Sequence, residues 1–173
     1  MFRLLAKKFL SGTWLEAPLR RFFAVKFRIR LINYIFQRIF RINSDAPWSV
    51  HYTSIVENAH KLKIGRGVHR CLAVSGHCYI QAYNGIDIGD DTIFGPGVKI
   101  LLTNHDEVTF AAKKGPPIII GEHCWLGANS VILPGVHLGD DVIVGAGAVV
   151  TKSFPGGSVI AGVPAGVISM REQ

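Results

Sequence analysis

Apolar positions along this chain follow two different periods. Between about Arg20 and Ile42 the polar residues Lys26, Arg30, Asn33, Gln37 and Arg41 return every three or four positions, with Leu31, Ile32, Ile35, Phe36, Ile39 and Phe40 on the other side. That period predicts an amphipathic helix, and Ser44, Asp45 and Pro47 end it. Past residue 60 the repeat lengthens to six. Ile120, Leu126, Ile132, Leu138, Val144 and Val150 stand six apart, and Gly121, Gly127, Gly139 and Gly145 directly follow four of them. Four positions after each of the first five comes a smaller residue: Cys124, Ser130, Val136, Val142 and Ala148. Earlier blocks repeat the pattern at Val74 and Ile80, and at Ile88, Phe94 and Ile100.

A period of six suits neither an amphipathic helix nor a half-buried strand. It suits short strand, turn, short strand, with a large aliphatic and a small residue sharing a narrow interior. Glycine at each corner is expected to relieve backbone strain. Three hexads then make one triangular coil of 18 residues, stacked on the next at about 4.8 Å. The fold class predicted is an all-β solenoid, a parallel β-helix of hexapeptide repeats, preceded by the helical segment. The chain divides into a helical arm, residues 1–47, and a repeat domain, residues 48–173.

Charge sharpens that division. The net charge is +7, yet residues 1–45 hold ten basic and two acidic residues, so the arm carries +8 and the remainder about −1. A basic arm on a near-neutral body points to an anionic surface or ligand for the arm. Its apolar side is expected to pack on the body or on a neighbouring subunit, with docking on an anionic membrane as the alternative. Lys7 and Lys8 interrupt the first apolar stretch, so no signal-peptide core is expected, and no apolar run approaches a membrane span. The expected location is the cytoplasm, including the inner face of the membrane. Cys71, Cys78 and Cys124 are read as reduced thiols, two of them at interior repeat positions.

The segment IGEHCWLGANSVILPGVHLGDDVIVGAGAVVTKSFPGGSVIAGVPAGVI resembles the hexapeptide-repeat acyltransferases, in particular the maltose, galactoside, nodulation-factor and polysaccharide O-acetyltransferase branch. The resemblance covers roughly residues 60–168 and implies a left-handed β-helix, a homotrimer and active sites between subunits. Handedness comes from the resemblance alone, since parallel crossovers generally take the opposite hand.

The hexads break between Ile100 and Ile120, where LLTNHDEVTFAAKKGPP intervenes. Long departures from a rigid repeat tend to carry function. Similar acetyltransferases keep their catalytic histidine in this threonine-x-histidine setting, which makes His105 the matching general base. Neutral imidazole, with its pKa near 6.5, suits removal of a hydroxyl proton near neutrality. The resemblance further implies an acceptor contact from Asn84, with Trp125 near the acetyl and pantetheine end, and Asp106 beside His105 is read as binding acceptor. Asn84 also reads as a turn residue before Gly85, and Asp106 as an ordering group in the loop. For coenzyme A the resemblance implies Gly127, Ala128, Gly145 and Ala146 along a groove, with Thr151 and Lys152 near the nucleotide. The family's basic residue after the proline-small pair is absent: Gly166 follows Pro164-Ala165, and Arg171 is the candidate substitute.

The function expected is transfer of acetyl from acetyl-CoA to a sugar hydroxyl, on a small-molecule or lipid-linked acceptor of surface-polysaccharide synthesis. No metal and no nucleic acid are expected to take part. A carbonic-anhydrase-like metal site is the first alternative, but it needs converging histidines, and none of the seven pairs closely near His105. A noncatalytic scaffold and an acetyltransferase acting on a non-sugar acceptor such as an antibiotic are the others.

Overall fold

The computed structural model describes residues 16–105 and 112–171, with side chains over 27–102 and 115–171. Helix α1 (Glu16–Arg38) is followed by β1 (Ile55–Glu57), a single 3-10 turn, β2 (Leu62–Ile64) and helix α2 (Val68–Val74). The repeat continues as β3 (Tyr79–Gln81), β4 (Ile86–Ile88), β5 (Ile93–Phe94) and β6 (Lys99–Ile100). A hairpin of β7 (Thr103–His105) and β8 (Ala112–Lys114) intervenes. The regular rungs are β9 (Ile118–Ile120), β10 (Trp125–Leu126), β11 (Val131–Ile132), β12 (His137–Leu138), β13 (Ile143–Val144) and β14 (Val149–Val150). The last elements are β15 (Ser158–Gly162) and β16 (Ala165–Met170).

These strands form three faces. Face 1 runs β1-β3-β6-β11-β14, face 2 runs β2-β4-β9-β12, and face 3 runs β5-β10-β13-β15 with β16 added antiparallel. From β4 onward the chain visits faces 2, 3 and 1 in rotation, so each strand pairs in parallel with one a full turn away. Trp125 pairs with Ile143, Val131 with Val149 and Ile119 with His137, each 18 residues on. The hexad spacing predicts that coil length.

The interior follows the predicted pattern. Ile120, Leu126, Ile132, Leu138, Val144 and Val150 are buried, as are Cys124, Ser130, Val136, Val142 and Ala148. Burying each large aliphatic contributes about 1.5–3 kcal/mol. Val74 departs from expectation: it ends α2 and lies exposed, because in the first coil α2 occupies the place that a face 3 strand takes in later ones.

The corners also depart from expectation. Gly121, Gly127, Gly139 and Gly145 do not have positive φ; the left-handed positions of the turns fall to His77, Asp91, His123, Asn129 and Asp141, and to Gly97, Gly135 and Gly147. The glycines after the aliphatics answer to close stacking instead. A Cβ on Gly127 would lie 2.5 Å from the Ala146 nitrogen, and one on Gly121 would lie 2.6 Å from the Gly139 carbonyl carbon.

Helix α1 ends at Arg38, one turn before the position expected from the sequence. Arg41 turns the chain there with φ of 58°, and Asn43 holds the exit: it too has positive φ, its Nδ2 donates to the Ser54 carbonyl at 2.8 Å, and its Oδ1 accepts from the Val56 amide at 2.7 Å. The side that docks on the body is also the reverse of the one expected. Asn33 and Gln37 are buried: Asn33 donates to the Ala73 carbonyl and Ser49 Oγ and accepts from the Tyr52 amide, while Gln37 donates to the Trp48 carbonyl and accepts from the Val50 amide. Ile35 and Phe36 are half-buried, but Phe27, Leu31, Ile32, Tyr34, Ile39 and Phe40 are exposed. Polar groups dock here because the backbone entering the first coil has amides and carbonyls with no ladder partner.

Candidate active site

Among the described residues, the one long interruption of the rungs lies between β6 on face 1 and β9 on face 2. Its backbone is an antiparallel hairpin in which Thr103 pairs with Lys114, Asn104 with Lys113 and His105 with Ala112. At the base, the Gly115 amide donates to the carbonyl of buried Leu102 at 2.9 Å. Asn84 Nδ2 donates to the Gly115 carbonyl at 2.7 Å, which ties the preceding coil to the same point. His105 therefore sits on a strand anchored at its root to two rungs. Asp106 falls outside the described residues.

Trp125 lies elsewhere. It opens β10 on face 3, between Ile93 and Ile143 in register, and is 52% exposed. The hairpin leaves from the corner between faces 1 and 2, so a single chain presents the two on different sides of the prism.

The residues expected to hold coenzyme A occupy two corners. Gly127-Ala128 and Gly145-Ala146 stack one rung apart between faces 3 and 1, where the Gly127 amide donates to the Val144 carbonyl at 2.8 Å. Gly95-Pro96 continues the same edge one rung earlier, an alignment the sequence reading missed because the hairpin insertion hides its phase. Ala146 is exposed and a Cβ on Gly147 would meet nothing within 4 Å, so this edge is bare and smooth outside. A thin flexible chain fits such an edge, and bulky side chains would obstruct it. Thr151 and Lys152 are exposed after β14, at the corner between faces 1 and 2, and Lys152 Nζ lies 5.7 Å from the Phe154 ring centroid.

Arg171 lies away from these edges in the single chain. Its guanidinium pairs with Asp141 at 3.3 Å, at the corner between faces 2 and 3. Burial pushes the thiols of Cys78 and Cys124 above their ordinary range, so both favour the neutral, unreactive form. Among the described residues no three His, Cys, Asp or Glu side chains gather as a metal site. Among them too, no helix is long and apolar enough to cross a membrane.

Comparison with known proteins agrees with this geometry. A family described as the hexapeptide repeat of succinyl-transferase matches residues 117–152. The galactoside O-acetyltransferase of Escherichia coli (strain K12) is 41% identical over 87 residues, covering 48% of this chain and 43% of that one. The chain spans between 41% and 63% of the lengths of the first curated relatives it matches. The solved maltose O-acetyltransferase from Clostridium difficile 630 is 25% identical, with 96% of each chain covered and a TM-score of 0.61. A galactoside acetyltransferase solved in complex with coenzyme A is 26% identical, with 84% of this chain and 80% of that one covered and a TM-score of 0.59. With its rungs in 18-residue register and a hairpin interrupting them, the chain is similar in fold and in repeat sequence to the hexapeptide-repeat acetyltransferases.

Proposed function

We propose that this chain transfers acetyl from acetyl-CoA to a sugar hydroxyl, with His105 as general base. The observation that carries the reading is the anchored hairpin that interrupts the coil with His105 on its outgoing strand. The His105 imidazole takes the proton of the acceptor hydroxyl as that oxygen attacks the thioester carbonyl. The carbon–sulfur bond breaks, coenzyme A leaves and receives the proton, and an ester remains on the sugar.

The coil is left-handed and the working unit is a homotrimer. Support for the trimer comes from the placement of Trp125 on a face away from the hairpin: a neighbouring copy brings one copy's Trp125 to another's His105. Asn84 and Asp106 then contact the acceptor, and Gly127, Ala128, Gly145 and Ala146 line the pantetheine arm. Thr151 and Lys152 meet the nucleotide end, where Lys152 offers its charge to phosphate. The relatives named for galactoside and maltose support a sugar as acceptor. The solved neighbour in complex with coenzyme A supports the donor. Residues 48–173 perform the chemistry, on the cytoplasmic side, and residues 1–47 bring it to lipid-linked acceptors at the membrane.

Coenzyme A release from acetyl-CoA is the test, measured with a panel of galactosides, glucosides and maltose. The wild-type chain should turn over with at least one, and His105→Ala should lose about 10²–10⁴ in kcat. An active His105→Ala protein, or no turnover with any sugar, overturns the reading.

A further inference from the structure

The exposed side of α1 is the feature that the chemistry above leaves unused. Phe27, Leu31, Tyr34 and Arg38 follow one another at steps of four, three and four, which places them in one line on the helix. All four are exposed. Arg28 and Arg30 are exposed on either side of that line, and exposed Ile39, Phe40 and Arg41 follow it. From residue 27 to residue 44 there are four arginines and no acid. Among the described residues none of those arginines has a carboxylate partner.

Beside this face lies a cleft of about 280 Å³ between α1 and the chain entering the first coil, lined by Arg30, Tyr34, Gln37, Arg38, Trp48 and Ser49 among others. Arg30 and Arg38 supply two guanidinium groups and Tyr34 and Ser49 two hydroxyls to the lining of a volume that accommodates a phosphate group.

We infer that α1 and this cleft form a docking site for an anionic phospholipid surface, with the apolar line entering the headgroup region and a lipid phosphate seated between Arg30 and Arg38. The inference extends the reading of the chain as a sugar acetyltransferase with a membrane-borne acceptor. Charge complementarity selects the occupant. A second copy docking here face to face would bring eight arginines together with no acid, and the remainder of the chain is near neutral; a bilayer rich in anionic lipid supplies the missing charge. Placement agrees. Helix α1 caps the first coil through Asn33 and Gln37, and the His105 hairpin leaves face 1 two strand spacings beyond β1, about 10 Å along the coil. A docked enzyme would hold its hairpin close to the lipid surface.

Sedimentation of the full chain with vesicles tests this, using phosphatidylcholine alone and phosphatidylcholine with about one-third phosphatidylglycerol. The wild type should bind the anionic vesicles, less so as salt rises, and leave the neutral ones in solution. Arg30→Gln with Arg38→Gln should weaken binding about 20- to 30-fold, and Leu31→Asp should weaken it as well. Neither change should alter melting temperature or turnover of a soluble sugar. Equal binding to both vesicles, or unchanged binding by the double variant, overturns the proposal. So does a cross-link between copies through Leu31→Cys with no vesicle binding, which makes the face an interface. Stabilisation by inorganic phosphate alone, lost in the double variant and with no vesicle binding, also overturns it in favour of a free phosphate. Lack of sugar turnover with vesicle binding intact would strike at the proposed activity and leave the docking site standing.

Discussion

Asn84 Nδ2 and the Gly115 carbonyl oxygen stand 2.7 Å apart, so the coil before the hairpin is tied to the strand leaving it. The bond is made by an exposed side chain, and its loss should cost little of the fold. Its place is at the root of the hairpin, which it joins to the preceding coil. Asn84→Ala should lower kcat/KM for the sugar about tenfold, the equivalent of one lost hydrogen bond of roughly 1.4 kcal/mol. Melting temperature should move by only a few degrees. Unchanged kinetics would show that the tie does not position the hairpin.

The glycines at the corners separate two physical causes that look alike in the sequence. On Gly127 a Cβ would press into the Ala146 backbone nitrogen of the next rung, which cannot retreat. Gly127→Ala should therefore destabilise by about 1–3 kcal/mol, as overpacking does. Gly147 has φ of 70° and open space where its Cβ would stand. Gly147→Ala should cost only about 1 kcal/mol of backbone strain while raising the KM for acetyl-CoA, because its methyl projects onto the proposed pantetheine edge. Thermal melts with donor KM values distinguish the two.

The contrast explains what was legible beforehand. The interior was, because each hexad places one aliphatic and one small residue where nothing else fits, from Ile120 with Cys124 to Val144 with Ala148. The hairpin was visible as a gap in that pattern. The corner chemistry was not, because His123, Asn129 and Asp141 take the left-handed positions while the conspicuous glycines serve stacking. Helix α1 misled for a related reason. Asn33 and Gln37 have the composition of a solvent face, yet they satisfy amides and carbonyls of the first coil. Hydrophobic periodicity carries no record of unpaired backbone elsewhere. Nor does it relate residues on different copies, so the proposed meeting of Trp125 with another copy's His105 lay beyond it.

The thiols give the fold a pH dependence. Desolvation raises the pKa of both Cys78 and Cys124, so the folded chain holds these protons more tightly than the unfolded chain does. The associated stability is fully present below the ordinary thiol pKa of about 8.5 and is lost as pH rises through the raised values. Denaturant midpoints should thus fall above about pH 8.5, and Cys78→Ala should flatten that fall. In the native protein a thiol reagent should modify half-buried Cys71 first, with Cys78 and Cys124 reacting only as the coil opens.

Gly166 offers a test of the donor edge by restoration. It lies on β16 opposite Ala161, and Ala161 is the residue that a Cβ on Gly145 would meet, at 2.9 Å. Position 166 is therefore next to the corner that carries Gly145 and Ala146. A Cβ there would meet nothing within 4 Å, so a long side chain has room. The resemblance puts a basic residue at this position, and Arg171 is held by Asp141 at another corner of the single chain. Gly166→Arg should lower the KM for acetyl-CoA about threefold to fivefold, the size of an exposed charge pair, with the gain shrinking as salt is added. Gly166→Ala and Arg171→Ala should leave that KM unchanged. A donor KM unmoved by the arginine would show that the nucleotide does not pass this corner, and the assignment of Gly145 and Ala146 to the donor groove would fall with it.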